Sequence, residues 1–493
     1  MKKIRPLLLF MLTLMFINCK NDDNGNTIEQ VIDPDAFYVD QDHPNASDDN
    51  DGRYIEDGGT GPWLTIQHML NTLEAGETGY VRASSSRYLG TTVTTAFDQI
   101  AFNISKSGTL NSPIIISGYP GERPVIGLNN MEDAVDANVG GFVSSFNTSY
   151  VTIRNFEISN VSGTGIFTDP DGNYPNIGMV FEDLHIYNVI VGDNGACIRL
   201  DFCDQCVVRN NILHDVYDKR STAGNPINDS QYRLGSGIHG FQPSDCIIEN
   251  NLFYNLGMGV FQKQADVDHQ DSHMVRNNIF HDLSSVAFSM QIQGAGGAAP
   301  RNASFYNNIL YDTGGALWVP LQDVGEQGIG LKIYNNTLVN TSGIGSIQEM
   351  IDIEIFNNIV QGDRPSWSTS SNETSIFRTE APMVASLENG ISYFDNNIYY
   401  DLHEHWILES GSAEEQNIYG LDVWSTNSTP SIGLLNPDQN SRVIDPLFID
   451  AANHNYTLQN ESPALSGGRG GNYSSSIGAV RDDISIGPDW ELD

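Results

Sequence analysis

The sequence predicts an all-β fold, a parallel β-helix of about ten or more turns behind an N-terminal cap. The first observation is a ten-residue unit that recurs. The stretch from Cys206 to Asp215 (CVVRNNILHD) matches Cys246 to Asn255 and His273 to Asp282 position by position. Counted from its first Asn, the unit falls at Asn155, Asp183, Asn210, Asn250, Asn277, Asn307, Asn335, Asn357 and Asn396, in steps of 28, 27, 40, 27, 30, 28, 22 and 39 residues. Steps of that size are single turns of a solenoid.

The second observation is a period of two. Ile153, Phe181, Val208, Ile248, Val275, Phe305, Ile333 and Ile355 stand two residues before the Asn. Ile158, Ile186, Leu213, Phe253, Phe280, Leu310, Leu338 and Val360 stand three after it. Short strands with alternate side chains turned inward give this pattern, and stacked copies put like residues about 4.8 Å apart. The third is the column just before the Asn, which runs Arg154, Glu182, Arg209, Glu249, Arg276, then Tyr306, Tyr334, Phe356. Outward Arg and Glu on successive turns make an ion-pair ladder that an aromatic stack continues. The Asn/Asp column belongs at a strand-to-turn corner, where short amides accept unusual backbone angles and hydrogen-bond along the stack.

At the N-terminus, Lys2, Lys3 and Arg5 precede the apolar run Leu7 to Ile17, which is too short to span a bilayer and has the form of a signal peptide over residues 1–18. Phe16-Ile17-Asn18-Cys19 followed by Lys20-Asn21-Asp22-Asp23 resembles a bacterial lipoprotein signal with a surface-export motif of the Bacteroidetes type. That resemblance implies lipidation at Cys19, a flexible tether over 19–36, and anchorage to the outer membrane at the cell surface. A plain signal peptide is the alternative. The net charge of −38 argues against nucleic acid as a partner. A monomer is expected.

Residues 37–105 form the cap. They hold Phe37-Tyr38-Val39, the turn Asp48-Asp49-Asn50-Asp51-Gly52, Pro62-Trp63-Leu64-Thr65-Ile66-Gln67, and a helix over Thr65–Glu74 whose Ile66, Met69, Leu70 and Leu73 share a face. This cap resembles the opening of extracellular right-handed parallel β-helix proteins of the pectate-lyase-like superfamily. Asn111-Ser112-Pro113-Ile114-Ile115-Ile116-Ser117-Gly118-Tyr119-Pro120-Gly121 resembles their first full turn. Asp445-Pro446-Leu447-Phe448 with Tyr456-Thr457-Leu458 resembles their closing segment. The β-helix is placed at 106–400 and the closing turns at 401–493. Two long loops interrupt it, at 217–234 and 362–390, the first expected to wall a cleft.

After each unit comes a second strand: Cys197 to Asp201, Gly237 to Phe241, Gly259 to Lys263, Ala287 to Gln291 and Ala316 to Pro320. One outward column reads Arg199, His239, Phe261, Ser289, Trp318, and the next reads Asp201, Phe241, Lys263, Gln291, Pro320. Charged groups interleaved with aromatic faces suit a sugar-binding groove. Residues 199–281 hold 7 of the 24 Lys and Arg and 5 of the 11 His, so an anionic polysaccharide is the expected partner. Arg209 and Arg276, however, already serve the ladder.

Removing the C5 proton of a uronate needs a cation on the carboxylate and a base of lowered pKa. Lys263, beside Arg199 and His239, fits the base. Phe261, Trp318, Phe241, Gln291 and Asp201 fit substrate contacts. The set resembles family 9 polysaccharide lyases, which implies a strand lysine as base and calcium held by aspartates. Asp266, Asp268 and Asp271 are the candidates here, though at spacings unlike the family's. A glycoside hydrolase pairing Asp201 with Asp218 or Asp229 is the rival. A non-catalytic glycan binder is the third reading, with Tyr187, His214, Tyr254, His281 and Tyr311 as a stacking platform. Cys206 and Cys246 share an inward column. Cys203-x-x-Cys206 has no second CxxC, which favours buried thiols or one disulfide over zinc.

Overall fold

The computed structural model describes residues 32–479, apart from 94–98, 135–136, 146, 169–174, 192–194, 219–234, 265–272, 293–300, 320–327, 348–349, 364–376, 381–389, 403–406, 411–415, 420–424 and 426–436. The architecture below is that of the unit Asp35–Asp493. Cys19, Asp229, Asp266, Asp268, Asp271 and Pro320 lie outside the described residues, as do most of both long loops.

Every turn of the repeat supplies one strand to each of three long sheets of 12, 13 and 12 strands. Apart from an antiparallel pair at each end of the 13-stranded sheet, the pairing is parallel, and through the central turns it is in register. In the first sheet, here the ladder sheet, Val208 pairs with Ile248, Ile248 with Val275, Val275 with Phe305 and Phe305 with Ile333. All five are fully buried. The flank sheet stacks Leu213 on Phe253, Phe280 and Leu310. The groove sheet stacks Ile198 on Ile238, Val260, Phe288 and Leu317. This is the right-handed parallel β-helix expected from the sequence, and one apolar cluster runs through it from Val39 to Tyr399. The parallel stacking begins inside the cap, where Phe37–Val39 pairs with Thr78–Val81 and Thr78–Val81 with Ile114–Gly118. The cap helix spans Ile66–Thr72, with the Thr65 side chain accepting the His68 N–H as its N-cap. A second helical turn, Met131–Ala134, carries no signal of its own in the sequence.

The first Asn of each pair does take the left-handed corner, with φ between 53° and 60° at Asp183, Asn210, Asn250, Asn277, Asn307, Asn335, Asn357 and Asn396. The continuous hydrogen-bonded ladder, however, is made by the second. Asn211, Asn251, Asn278, Asn308, Asn336, Asn358 and Asn397 are all fully buried. From Asn211 to Asn358, each Nδ2 donates to the Oδ1 of the next, at 2.9 to 3.2 Å. Each also donates to a strand carbonyl, as Asn278 does to Ile248, while its own Oδ1 accepts from the backbone N–H and the amide of Asn251. Both donors and both lone pairs are thereby used. Asn397 ends the run on Asp438, which also takes the Tyr399 hydroxyl.

The charge ladder forms as expected. Glu182 holds Arg209 and lies 3.7 Å from Arg154, Glu249 pairs with Arg276, and Tyr306, Tyr334 and Phe356 stack at 4.6 and 5.1 Å. Phe356 is fully buried rather than outward, because the chain returns over it. Tyr473 meets Phe356 edge-on at 4.7 Å and Arg469 sits 4.7 Å over the same ring. The same return segment lays Phe448, Tyr456, Ala464 and Ile477 on the flank sheet beside Ile309, Tyr311 and Val339. Cys203 and Cys206 form a disulfide, while Cys197 and Cys246 are free and buried.

Asn278→Ala is expected to cost about 2–4 kcal/mol in urea unfolding, since it leaves buried partners on two turns without bonds. Arg209→Ala on the exposed ladder is expected to cost about 0–1 kcal/mol. Alkylation of denatured, unreduced protein should label Cys197 and Cys246 and spare Cys203 and Cys206.

Candidate functional site

Five neighbouring strands of the groove sheet build the site: β1 (Ala196–Asp201), β2 (Ser236–Phe241), β3 (Met258–Gln264), β4 (Phe288–Ile292) and β5 (Leu317–Val319). Their inner residues fix the registers. Two glycines let the strands close on the core: a Cβ on Gly237 would stand 2.6 Å from the Phe253 ring, and one on Gly259 would stand 2.5 Å from Phe280. The outer columns follow. Arg199 pairs with His239, His239 with Phe261, Phe261 with Ser289 and Ser289 with Trp318. Asp201 pairs with Phe241, Phe241 with Lys263 and Lys263 with Gln291. Both columns are those read from the sequence.

Their exposure is not what an open groove implies. Arg199 is 9% exposed, His239 2% and Asp201 1%, whereas Phe241, Phe261, Lys263, Gln291 and Trp318 are half-buried. The charged end of the stripe lies beneath the surface, and the aromatic end and the lysine reach it. Asp201 is taken up by its protein neighbours. Its Oδ2 accepts from Arg199 Nε at 2.8 Å and Nη2 at 2.7 Å, and its Oδ1 accepts the Phe241 N–H at 3.1 Å. The Arg199 guanidinium lies 5.1 Å over the Phe167 ring. Phe167 was missed in the sequence, although it is the register partner of Arg199 one turn earlier. Lys263 Nζ stands 5.2 Å from the centre of Phe261, which in turn tilts against His239 at 5.2 Å.

Electrostatics separate these groups. Burial, and then the charges of Arg199 and Lys263, push the His239 pKa well below the usual histidine range, so the ring is neutral at physiological pH. Neither ring nitrogen has a hydrogen-bond partner. Burial raises the Asp201 carboxyl, opposed by Arg199 and Lys263. Ser289 Oγ is likewise buried without a partner. No group of three or more His, Cys, Asp or Glu among the described residues has the geometry of a metal site.

On the flank sheet, Tyr187, His214, Tyr254, His281 and Tyr311 form the expected column, and His454 extends it. Successive rings are nearly parallel, with centres 5.1, 4.3, 5.1, 4.7 and 4.3 Å apart. They cover one another's faces, so this column offers edges and not the platform that sugar stacking needs.

No family model and no curated protein matches the chain. Among solved structures, it is similar to a rhamnogalacturonan lyase (13% identity, 87% of this chain and 95% of that one, TM-score 0.48). It is also similar to the pectate lyase Pel9A (14%, 92% and 95%, 0.47) and to the A-module of the Azotobacter vinelandii mannuronan C-5 epimerase AlgE4 (13%, 75% and 91%, 0.40). These likenesses lie in the run of the chain, and the β-helix itself rests on the strand registers above.

Neutral buried histidines carry a pH signature. Unfolded histidine takes up a proton near pH 6.5, whereas His239 in the fold does so only well below that. The unfolded state therefore binds more protons below pH 6.5, and stability falls as pH falls. The wild type is expected to lose unfolding free energy between pH 7.5 and 5.5. His239→Phe should lose less, as read by urea titration at both values.

Proposed function

We propose that the protein cleaves an acidic polysaccharide by β-elimination along the groove sheet, with Lys263 as the base. The observation that carries the reading is the register of β1–β3. It sets a half-exposed lysine beside a neutral, unpartnered histidine and a buried Arg199–Asp201 pair, with Phe241, Phe261, Gln291 and Trp318 at the surface of the same stripe. In this reaction Lys263, as the free amine, takes the C5 proton. The C–H electrons become the C4–C5 double bond, and the C4–O4 bond breaks. The O4 oxygen leaves with a proton from water or from the new ammonium. Arg199, held on Asp201 and Phe167, offsets charge on the uronate carboxylate as the proton leaves. His239, being neutral, serves as a hydrogen-bonding group and adds no charge. The aromatic end covers sugar C–H faces.

Paired-carboxylate hydrolysis has less support. Asp201 is committed to Arg199 and is the one carboxylate in the two columns of β1–β5 among the described residues. Asp266, Asp268 and Asp271 stay as the proposed calcium ligands. The proposed location is a surface lipoprotein of the outer membrane, anchored through Cys19.

Lys263→Ala should abolish the ultraviolet absorbance of unsaturated uronate product from a panel of acidic polysaccharides. It should leave the unfolding midpoint in place, since the residue is half-exposed. Arg199→Ala should mainly raise KM and lower kcat together. Full elimination by Lys263→Ala would remove the base assignment, and cleavage without unsaturated product would move the reaction to hydrolysis. Cys19→Ala should release the protein from membranes or leave it unprocessed.

A further inference from the structure

Phe202 stands directly after Asp201, at the end of β1 and outside the two outward columns. Its backbone is left-handed, with φ 48°. Most other non-glycine residues with such a φ among the described residues are Asn or Asp, whose short polar side chains tolerate it. A phenylalanine is strained there, because its Cβ crowds the carbonyl that follows. The corner itself belongs to the fold. The Phe202 N–H donates to the Phe241 carbonyl at 2.8 Å, and the Phe202 carbonyl accepts from the Asn176 N–H at 3.1 Å. One turn later Gln242 takes the same corner, with φ 54°, and its N–H donates to the Lys263 carbonyl at 2.7 Å. The backbone needs a left-handed residue at this place. It does not need an aromatic one.

Strained residues persist where their surroundings hold them, and they gather at sites of function. Core packing does not hold this one. Ile198 and Leu200 of β1 are fully buried, and strand alternation alone would send position 202 into the core after them. The left-handed corner redirects it. Phe202 is half-buried, and its ring packs against none of the apolar clusters of the described residues. Tyr150, another aromatic residue with a left-handed backbone, differs in this respect. Its ring lies on Gly178 of the next turn, where an added Cβ would stand 2.7 Å from it, so it fills the space a glycine leaves.

The Phe202 ring meets Phe241 instead, with ring planes at 70° and centres 5.5 Å apart. In that arrangement the two rings form a corner, one apolar wall against one apolar floor. Phe241 is also half-buried and shares the outward column of Lys263. It lies one turn from Lys263 and Phe202 lies two, about 5 and 10 Å along the axis at the strand spacing. A pyranose presents C–H faces of the kind that aromatic rings cover, and a corner of two rings holds one on two sides.

We propose that Phe202, with Phe241, forms a binding subsite for a sugar unit of the acidic polysaccharide, one to two units from the bond opened at Lys263. The subsite rests on the reading of the groove given above, and it takes the C–H face of the sugar rather than its charge. The test is calorimetric titration of the full chain carrying Lys263→Ala, which stops turnover, with hexagalacturonate, hexamannuronate and hexaguluronate. Phe202→Asn, added to that chain, suits the left-handed backbone, so the unfolding midpoint should be no lower than that of its parent. Affinity for the hexamer that binds should nevertheless fall roughly 3- to 10-fold. The fall should be the same at low and high salt, since the ring carries no charge. Phe202→Tyr should keep the affinity. Unchanged affinity in Phe202→Asn overturns the subsite and leaves elimination at Lys263 standing. A lowered midpoint in Phe202→Asn assigns the ring to packing and overturns it too. A rise of the same size in KM for Phe202→Asn, with Lys263→Ala still forming unsaturated product, removes the base assignment and upholds the subsite. No binding of any of the three hexamers at millimolar concentration overturns the groove reading and the subsite together.

Discussion

The buried asparagine ladder is the constraint on which the rest of the molecule depends. A side-chain amide has two donors and two lone pairs, and on this axis all four are used by the turns on either side. A slip of one residue in any turn would bring into the ladder either an apolar side chain or the Asn whose left-handed backbone belongs at the corner, and so leave amides on two turns unpaired in a dry core. The penalty is paid at every rung, so the register is held along seven turns. The groove inherits that register. Lys263 lies beside Phe241 and Gln291 only because Asn251 and Asn278 fix their turns one above the other.

Where the ladder is absent, apolar packing takes its place. The turns before Asn211 carry Phe156 and Leu184 at the equivalent corner, both fully buried, and the Leu184 N–H already bonds Asn211 Oδ1. The ladder thus begins against hydrocarbon and ends on the Asp438 carboxylate. The protein closes its amide stack with a charge at one end only.

Most of the fold was legible in the sequence because a solenoid writes each structural position many times. The two members of the Asn pair could also have been told apart. The first tolerates Asp183, since a left-handed corner needs only a short polar side chain. The second is Asn or an apolar residue and never Asp, since a carboxylate cannot donate to the next rung. The aromatic column was legible to the same depth: rings one turn apart are near contact distance and must cover each other's faces. Burial of Arg199, Asp201 and His239 was not legible. Alternation tells which way a side chain leaves the sheet, and nothing in it tells what lies above. The Asp201–Arg199 bond spans two positions of a single strand, a pairing that column-by-column comparison between turns does not reveal.

The return segment bears on how such a chain lives among copies of itself. A parallel β-helix that simply stopped would offer its last rung, with open backbone groups and an aromatic row, as a template for the first rung of a neighbour. Here one stretch of chain turns back and sets His454 on one outer row and Tyr473 with Arg469 on the other. The same residues that finish the fold also end both rows of rings, so neither row is left open for a neighbouring copy to extend.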